Sequence, residues 1–72
     1  MPDVEWETRM SAGLVVHYTA IDGHSLGAKE VEPGRVKAMI DGSTIGWKET
    51  AEEAKAFVVE RLPFYVAYPR QP

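Results

Sequence analysis

Residues 21–30 read IDGHSLGAKE, and residues 40–49 read IDGSTIGWKE. Six of the ten positions are identical, and Ser25/Thr44 and Leu26/Ile45 are close chemical matches. The offset is nineteen residues, about one strand–turn–strand unit. Asp-Gly is a strong hairpin signal, because Gly tolerates φ > 0 cheaply and Asp tolerates it better than most residues. Each copy therefore reads as a β-hairpin. The Ile before the turn faces Leu26 or Ile45 after it as a cross-strand pair. Gly27 and Gly46 fall at the same place in each second strand, which predicts a bulge or a close backbone approach there. Two copies are too few for a solenoid. An internal duplication and one hairpin solution used twice both fit the repeat.

Working outward from the hairpins, residues 4–10 alternate, with Val4, Trp6, Thr8 and Met10 on one face and Glu5, Glu7 and Arg9 on the other. That period of two is a strand with one wet face. Ser11-Ala12-Gly13 makes a turn. Residues 14–21 form the next strand, apolar enough on both faces for a central place in the sheet. Residues 25–32 follow the first Asp-Gly, and Pro33-Gly34 closes them. Residues 35–40 put Val36, Ala38 and Ile40 on one face and Arg35, Lys37 and Met39 on the other. Residues 44–48 put Ile45 and Trp47 together, where a covering helix would bury them.

Thr50-Ala51-Glu52-Glu53 is a capping box, and its acidic first turn complements the helix dipole. Ala51, Ala54, Phe57, Val58 and Leu62 recur at helical spacing as one apolar stripe. Pro63 predicts a helix end at Leu62 or before. Residues 64–68, Phe-Tyr-Val-Ala-Tyr, then read as a last strand. The predicted fold class is α+β: a four- to five-stranded, mainly antiparallel sheet with one helix, about 50–62, on one face, in the order β-β-β-β-β-α-β. The last strand would run parallel to the one before the helix, through a right-handed crossover.

The 72 residues form one domain with a thin core, so a partner or a second copy is a natural source of further burial. There is no cysteine, which excludes disulfides and thiol chemistry and fits a reducing compartment. The N-terminus lacks the pattern of a signal peptide, and the apolar runs are too short to span a membrane. The expected setting is cytoplasmic. Net charge is −3, which ranks nucleic acid below protein as a partner, because phosphate contacts supply most non-specific affinity. The middle of the chain is more basic, with Lys29, Arg35, Lys37 and Lys48.

No catalytic signature stands out. His17 and His24 are the only histidines, and neither has an evident partner in the sequence. With no cysteine, seven residues between them is no recognised zinc spacing. Glu52/Glu53 read as cap residues, Glu30/Glu32 as solvated strand positions, and neither GxGxxG nor GxxxxGK[ST] is present. The chain is expected to be no enzyme and to use no cofactor or metal. If Phe64 and Val66 meet the helix, Tyr65 lies on the open sheet face. His17, Met39 and Tyr65 would then form a partner-binding patch rimmed by Arg35 and Lys37, a composition enriched at interfaces.

The pieces Asp22-Gly23, Glu32-Pro33-Gly34 and Thr50-Ala51-Glu52-Glu53-Ala54 make residues 22–62 resemble the HicB-type antitoxin domain, which runs strand, acidic-Gly turn, strand, Pro-Gly step, helix and last strand. The chain departs from it by a second Asp-Gly hairpin before the helix. The helix junction is also similar to the three-strand-plus-helix DNA-binding domains of phage integrases. The resemblance implies a small accessory protein of a phage or mobile element that binds another protein. The leading expectation is thus a non-enzymatic protein–protein interaction module, with a homodimer as one form. The alternative is a nucleic-acid binder using Lys29, Arg35, Lys37 and Lys48.

Overall fold

The computed structural model describes residues 4–67. Five strands, β1 (Glu7–Ser11), β2 (Leu14–Ile21), β3 (His24–Glu32), β4 (Arg35–Ile40) and β5 (Ser43–Lys48), precede one helix, α1 (Ala51–Ala67). The strands form a single antiparallel meander in the order β1-β2-β3-β4-β5. The α+β class and the antiparallel sheet with a packed helix are as the sequence predicts.

The turns explain the meander. Asp22 and Gly23 have φ of 52° and 80°, and Asp41 and Gly42 have 50° and 83°. Positive φ at both central residues is the type I′ pattern, whose twist matches that of the flanking strands. Ala12-Gly13 adopts it too, at 52° and 80°, with an alanine in the position that Asp occupies in the other two turns.

The two Asp-Gly turns are also joined to each other. The Asp41 carboxylate accepts from the Ser25 N–H at 2.8 Å and contacts His24 Nδ1 at 2.7 Å, while the Asp41 N–H donates to the Ser25 carbonyl at 2.7 Å. The His24 contact first, then the Ser25 N–H, holds the Asp41 carboxyl below its ordinary value of 3.8. Hydrogen bonds to the charged form of a carboxyl favour that form.

Helix α1 starts on the predicted capping box. Thr50 Oγ1 accepts from the Glu53 N–H at 3.1 Å, and Glu53 Oε1 accepts from the Thr50 N–H at 3.2 Å. It packs on β3, β4 and β5. The buried core is Leu26, Ala28, Val36, Ala38 and Ile40 from the sheet with Ala54, Val58 and Leu62 from the helix. Three central alanines let the helix approach the sheet closely. Trp6, Ile21, Ile45, Phe57, Val59 and Tyr65 close the rim.

Two expectations are corrected. The helix does not stop before Pro63 but continues through it to Ala67, so no strand forms over residues 64–67, and Tyr68 lies outside the described residues. Pro63 is exposed, so its ring meets solvent rather than the sheet. The continued helix keeps Leu62 and Tyr65, three residues apart, on the face that packs on the core. The second correction concerns β5. The register slips between Ala38 and Met39, where Gly46 pairs with Ala38 and Thr44 with Met39, leaving Ile45 as a bulged residue. Ile45 and Gly46 therefore both serve the helix side, and Trp47 turns to the opposite side, paired with Lys37.

The two glycines of the near-repeat are close-approach sites on different faces. A Cβ at Gly46 would lie 2.9 Å from the Phe57 ring of the helix. At Gly27, on the other face, it would lie 3.2 Å from the terminal methyl of Met39.

Candidate functional site

Residues directly opposite in neighbouring strands share a face. The register therefore lines up one row across the whole sheet on the side away from α1: Arg9, Val16, Lys29, Lys37 and Trp47, one from each strand. The adjoining row is Glu7, Tyr18, Gly27, Met39 and Thr44. Among the described residues no element covers this open face.

The open face has a repeated local chemistry. At one edge the Arg9 guanidinium lies 5.1 Å from the centre of the Tyr18 ring. At the other, Arg35 lies 4.3 Å from the centre of the Trp47 ring, with Lys37 Nζ at 5.7 Å. Cations over aromatic faces attract the ring quadrupole, and a guanidinium also stacks flat on the ring. Trp47 keeps 44% of its surface exposed. Between these two pairs, Lys29 and Lys37 stand directly opposite each other in β3 and β4. Like charges in that position repel. Of the carboxylates, Glu7 shares the face, and Glu32 approaches Arg35 only to 3.5 Å at an exposed end.

The structure thus assembles Arg35, Lys37 and Met39 of the expected patch and separates the other two residues from them. Tyr65 is on α1, half-buried against the core, with its ring edge-on to His24 at 6.3 Å. His17 faces the helix side, opposite Ala28 and Thr8. Tyr65 leaves the patch because residues 64–67 are helical. His17 leaves it because the parity that carries Ala28 and Ala38 to the helix carries His17 with them. Lys48 is also on the helix side, 4.3 Å from the centre of the Phe57 ring. In their place come Arg9, Tyr18, Lys29 and Trp47. The alternation of residues 4–10 marked Arg9 as outward, but only the register joins it to Lys29. Trp47 needed the bulge, which Gly46 signalled only as one of two options, a bulge or a close approach.

His17 has partners that the sequence did not reveal. Its Nδ1 lies 3.1 Å from Thr8 Oγ1, and its Nε2 lies 2.5 Å from Glu30 Oε2. The order hydroxyl, imidazole, carboxylate is that of a nucleophile, base and orienting acid. Thr8 is exposed on the edge strand β1, and the bonds run laterally across β1, β2 and β3 on the helix side, with the His17 side chain mostly buried. A transition state there finds no converging oxyanion donors among these groups. The bonds stitch three strands together.

One concavity, about 570 Å³, lies at the C-terminal end of α1 between Ile40, Ile45, Phe57, Arg61, Phe64 and Tyr65, and another, about 620 Å³, lies near Leu14, Glu30, Val36 and Thr50. Among the described residues no cluster of three or more His, Asp or Glu side chains is placed to hold a metal ion. Among the described residues no helix is long and apolar enough to cross a membrane. No protein-family model, curated protein or solved structure matches the chain.

Proposed function

We propose that the chain is a non-enzymatic interaction module whose helix-free sheet face docks on an anionic macromolecule in the cytoplasm. The observation that carries this reading is the unbroken row Arg9, Val16, Lys29, Lys37 and Trp47, with Lys29 and Lys37 facing each other and no carboxylate between them. A fold gains nothing from two lysines at directly opposite positions of neighbouring strands, whereas an anion bound there neutralises both. The expected patch of His17, Met39 and Tyr65 ranked protein partners first, and that patch is not assembled. A protein partner with an acidic surface is the second reading, favoured by the exposed Trp47 beside Arg35, the residue types that dominate interface energetics. The accessory or antitoxin-like role implied by the resemblance of residues 22–62 belongs to that reading.

The test is affinity capture from host lysate with the native chain, with Lys29→Glu/Lys37→Glu, and with Lys55→Glu on the helix as a charge-reversal control away from the sheet face, scoring protein and nucleic acid in each eluate. Capture lost only with the sheet variant supports the reading. Identical eluates from all three overturn it.

A further inference from the structure

We infer that the open face binds single-stranded nucleic acid, with its backbone crossing the strands along the row from Arg9 to Trp47. This rests on the proposed use of that face and adds the partner's class. The row crosses five strands and so spans four strand spacings, about 19 Å. Four cations line it or flank it: Arg9, Lys29, Lys37 and, two residues along β4 and opposite Glu32, Arg35. Single-strand binders combine a positive track for phosphates with flat groups on which bases stack. Both parts are present here, and in the right places. The ammonium groups lie mid-sheet, and a guanidinium–ring pair stands toward each edge, Arg9 with Tyr18 and Arg35 with Trp47.

An acidic protein surface uses the cations and the exposed Trp47, whereas a single strand uses the cations and both ring–guanidinium pairs together. A duplex is a poorer fit, because a shallow sheet face offers rings to unstacked bases, and duplex bases are already stacked. The net charge of −3 does not oppose this. Glu52, Glu53 and Glu60 lie on α1, and Asp22 and Asp41 lie in the turns at the strand ends. Glu7 is the one carboxylate within the two rows. It stands opposite Tyr18 at the β1 edge, so a strand held by the middle of the row does not cross it.

The experiment is fluorescence polarisation with a labelled oligothymidylate of about 12 nucleotides, a length within the usual single-domain range. Each phosphate neutralised on a single strand contributes about −0.7 to the slope of log affinity against log salt. Four cations give a slope of about −2.8, so affinity falls about 50-fold between 50 and 200 mM salt. Lys29→Glu/Lys37→Glu is expected to weaken binding at least about 10-fold and to bring the slope to about −1.4, with thermal melts showing that the variant is folded. Trp47→Ala is expected to weaken binding about five-fold or more with the slope unchanged, because a stacking loss carries no counterions. Lys55→Glu leaves both untouched. Oligothymidylate that does not bind at 50 mM salt, or that binds the double variant as well as the native chain, overturns the inference. Equal binding of a duplex of the same length overturns the single-strand assignment. Direct binding of labelled polyglutamate without any oligonucleotide binding also overturns it, while leaving the docking face itself standing.

Discussion

Alanine placed at each glycine of the near-repeat should separate the two hairpins that the sequence makes look alike. At Gly46 an added Cβ sits 2.9 Å from Phe57 Cε2 and 3.3 Å from Cζ, under a ring that belongs to the helix–sheet contact. Reaching ordinary contact at about 3.4 Å requires the ring to retreat by about 0.5 Å, and overpacking of this kind costs about 1–3 kcal/mol. Restricting the unfolded chain by Gly→Ala returns about 0.4–1 kcal/mol. The net effect of Gly46→Ala is a destabilisation centred on about 1 kcal/mol and at most about 2.6 kcal/mol, the central value being a Tm lower by roughly 4–8 °C for a domain of this size. At Gly27 the added Cβ meets the Met39 methyl at 3.2 Å, the far end of a flexible side chain on an open face, and its other neighbours lie at 3.9 Å. Met39 swings aside, so Gly27→Ala is neutral or stabilising by about 0.5 kcal/mol. Urea denaturation of both variants measures the difference. A double-mutant cycle with Phe57→Leu assigns it, because Gly46→Ala should cost about 1 kcal/mol less once the ring is gone. Equal effects of the two alanines, or a cycle with no coupling, would refute the reasoning.

Three further outcomes follow from the turns and the cap. Thr50→Ala removes the oxygen that accepts the Glu53 N–H at 3.1 Å and should destabilise by about 1 kcal/mol in the same assay; an unchanged midpoint would place the helix start elsewhere. Ala12 stands at φ 52° in a turn where Asp or Asn is at ease, so Ala12→Asn should raise the Tm by a few degrees, about 0.5–1 kcal/mol, and a lower Tm would count against the type I′ assignment. The Asp41 carboxyl is held below 3.8 in the folded state, so its contribution is complete above that pH and disappears as pH falls through the lowered value. Asp41→Asn keeps a residue suited to φ > 0 and removes the charge. The Tm gap between native and variant should close as pH falls from about 5 toward 2, and a gap that widens over that range would contradict the sign.

Most of the fold was legible because it rests on local rules. Asp22-Gly23 and Asp41-Gly42 announce type I′ turns, alternation sets the strand faces, and Thr50 with Glu53 announces the helix start. The failures occur where tertiary contacts overrule local preference. Residues 64–66 are strong β-formers after a proline, yet Tyr65 gains the core rim by staying helical. Gly46 signals a bulge or a close approach without deciding between them, and the bulge at Ile45 sends Trp47 to the face opposite the one that alternation with Ile45 implied. The His17–Glu30 and His24–Asp41 contacts span 13 and 17 residues, so no local window contains either pair.

Net charge is a poor guide to this molecule because the sheet sorts its charges before any partner meets them. Alternation gives each strand two faces, and the register adds the faces of five strands together, so small biases in each strand accumulate. Arg9 in β1, Lys29 in β3, and Arg35 and Lys37 in β4 sit in phase on the open face. The acidic residues that outnumber them over the whole chain are spent on other tasks: Glu53 caps the helix, Asp41 clamps the two turns, and Glu30 takes the His17 imidazole. Over a Debye length of about 8 Å at physiological salt, a partner feels the nearest charges and little of the rest. What it meets on the open face is a cationic strip with an aromatic ring toward each edge, although the chain as a whole is acidic. The same sorting explains why opposed lysines are tolerated. Their repulsion is screened while the face is wet, and an anion bound between them turns it into attraction.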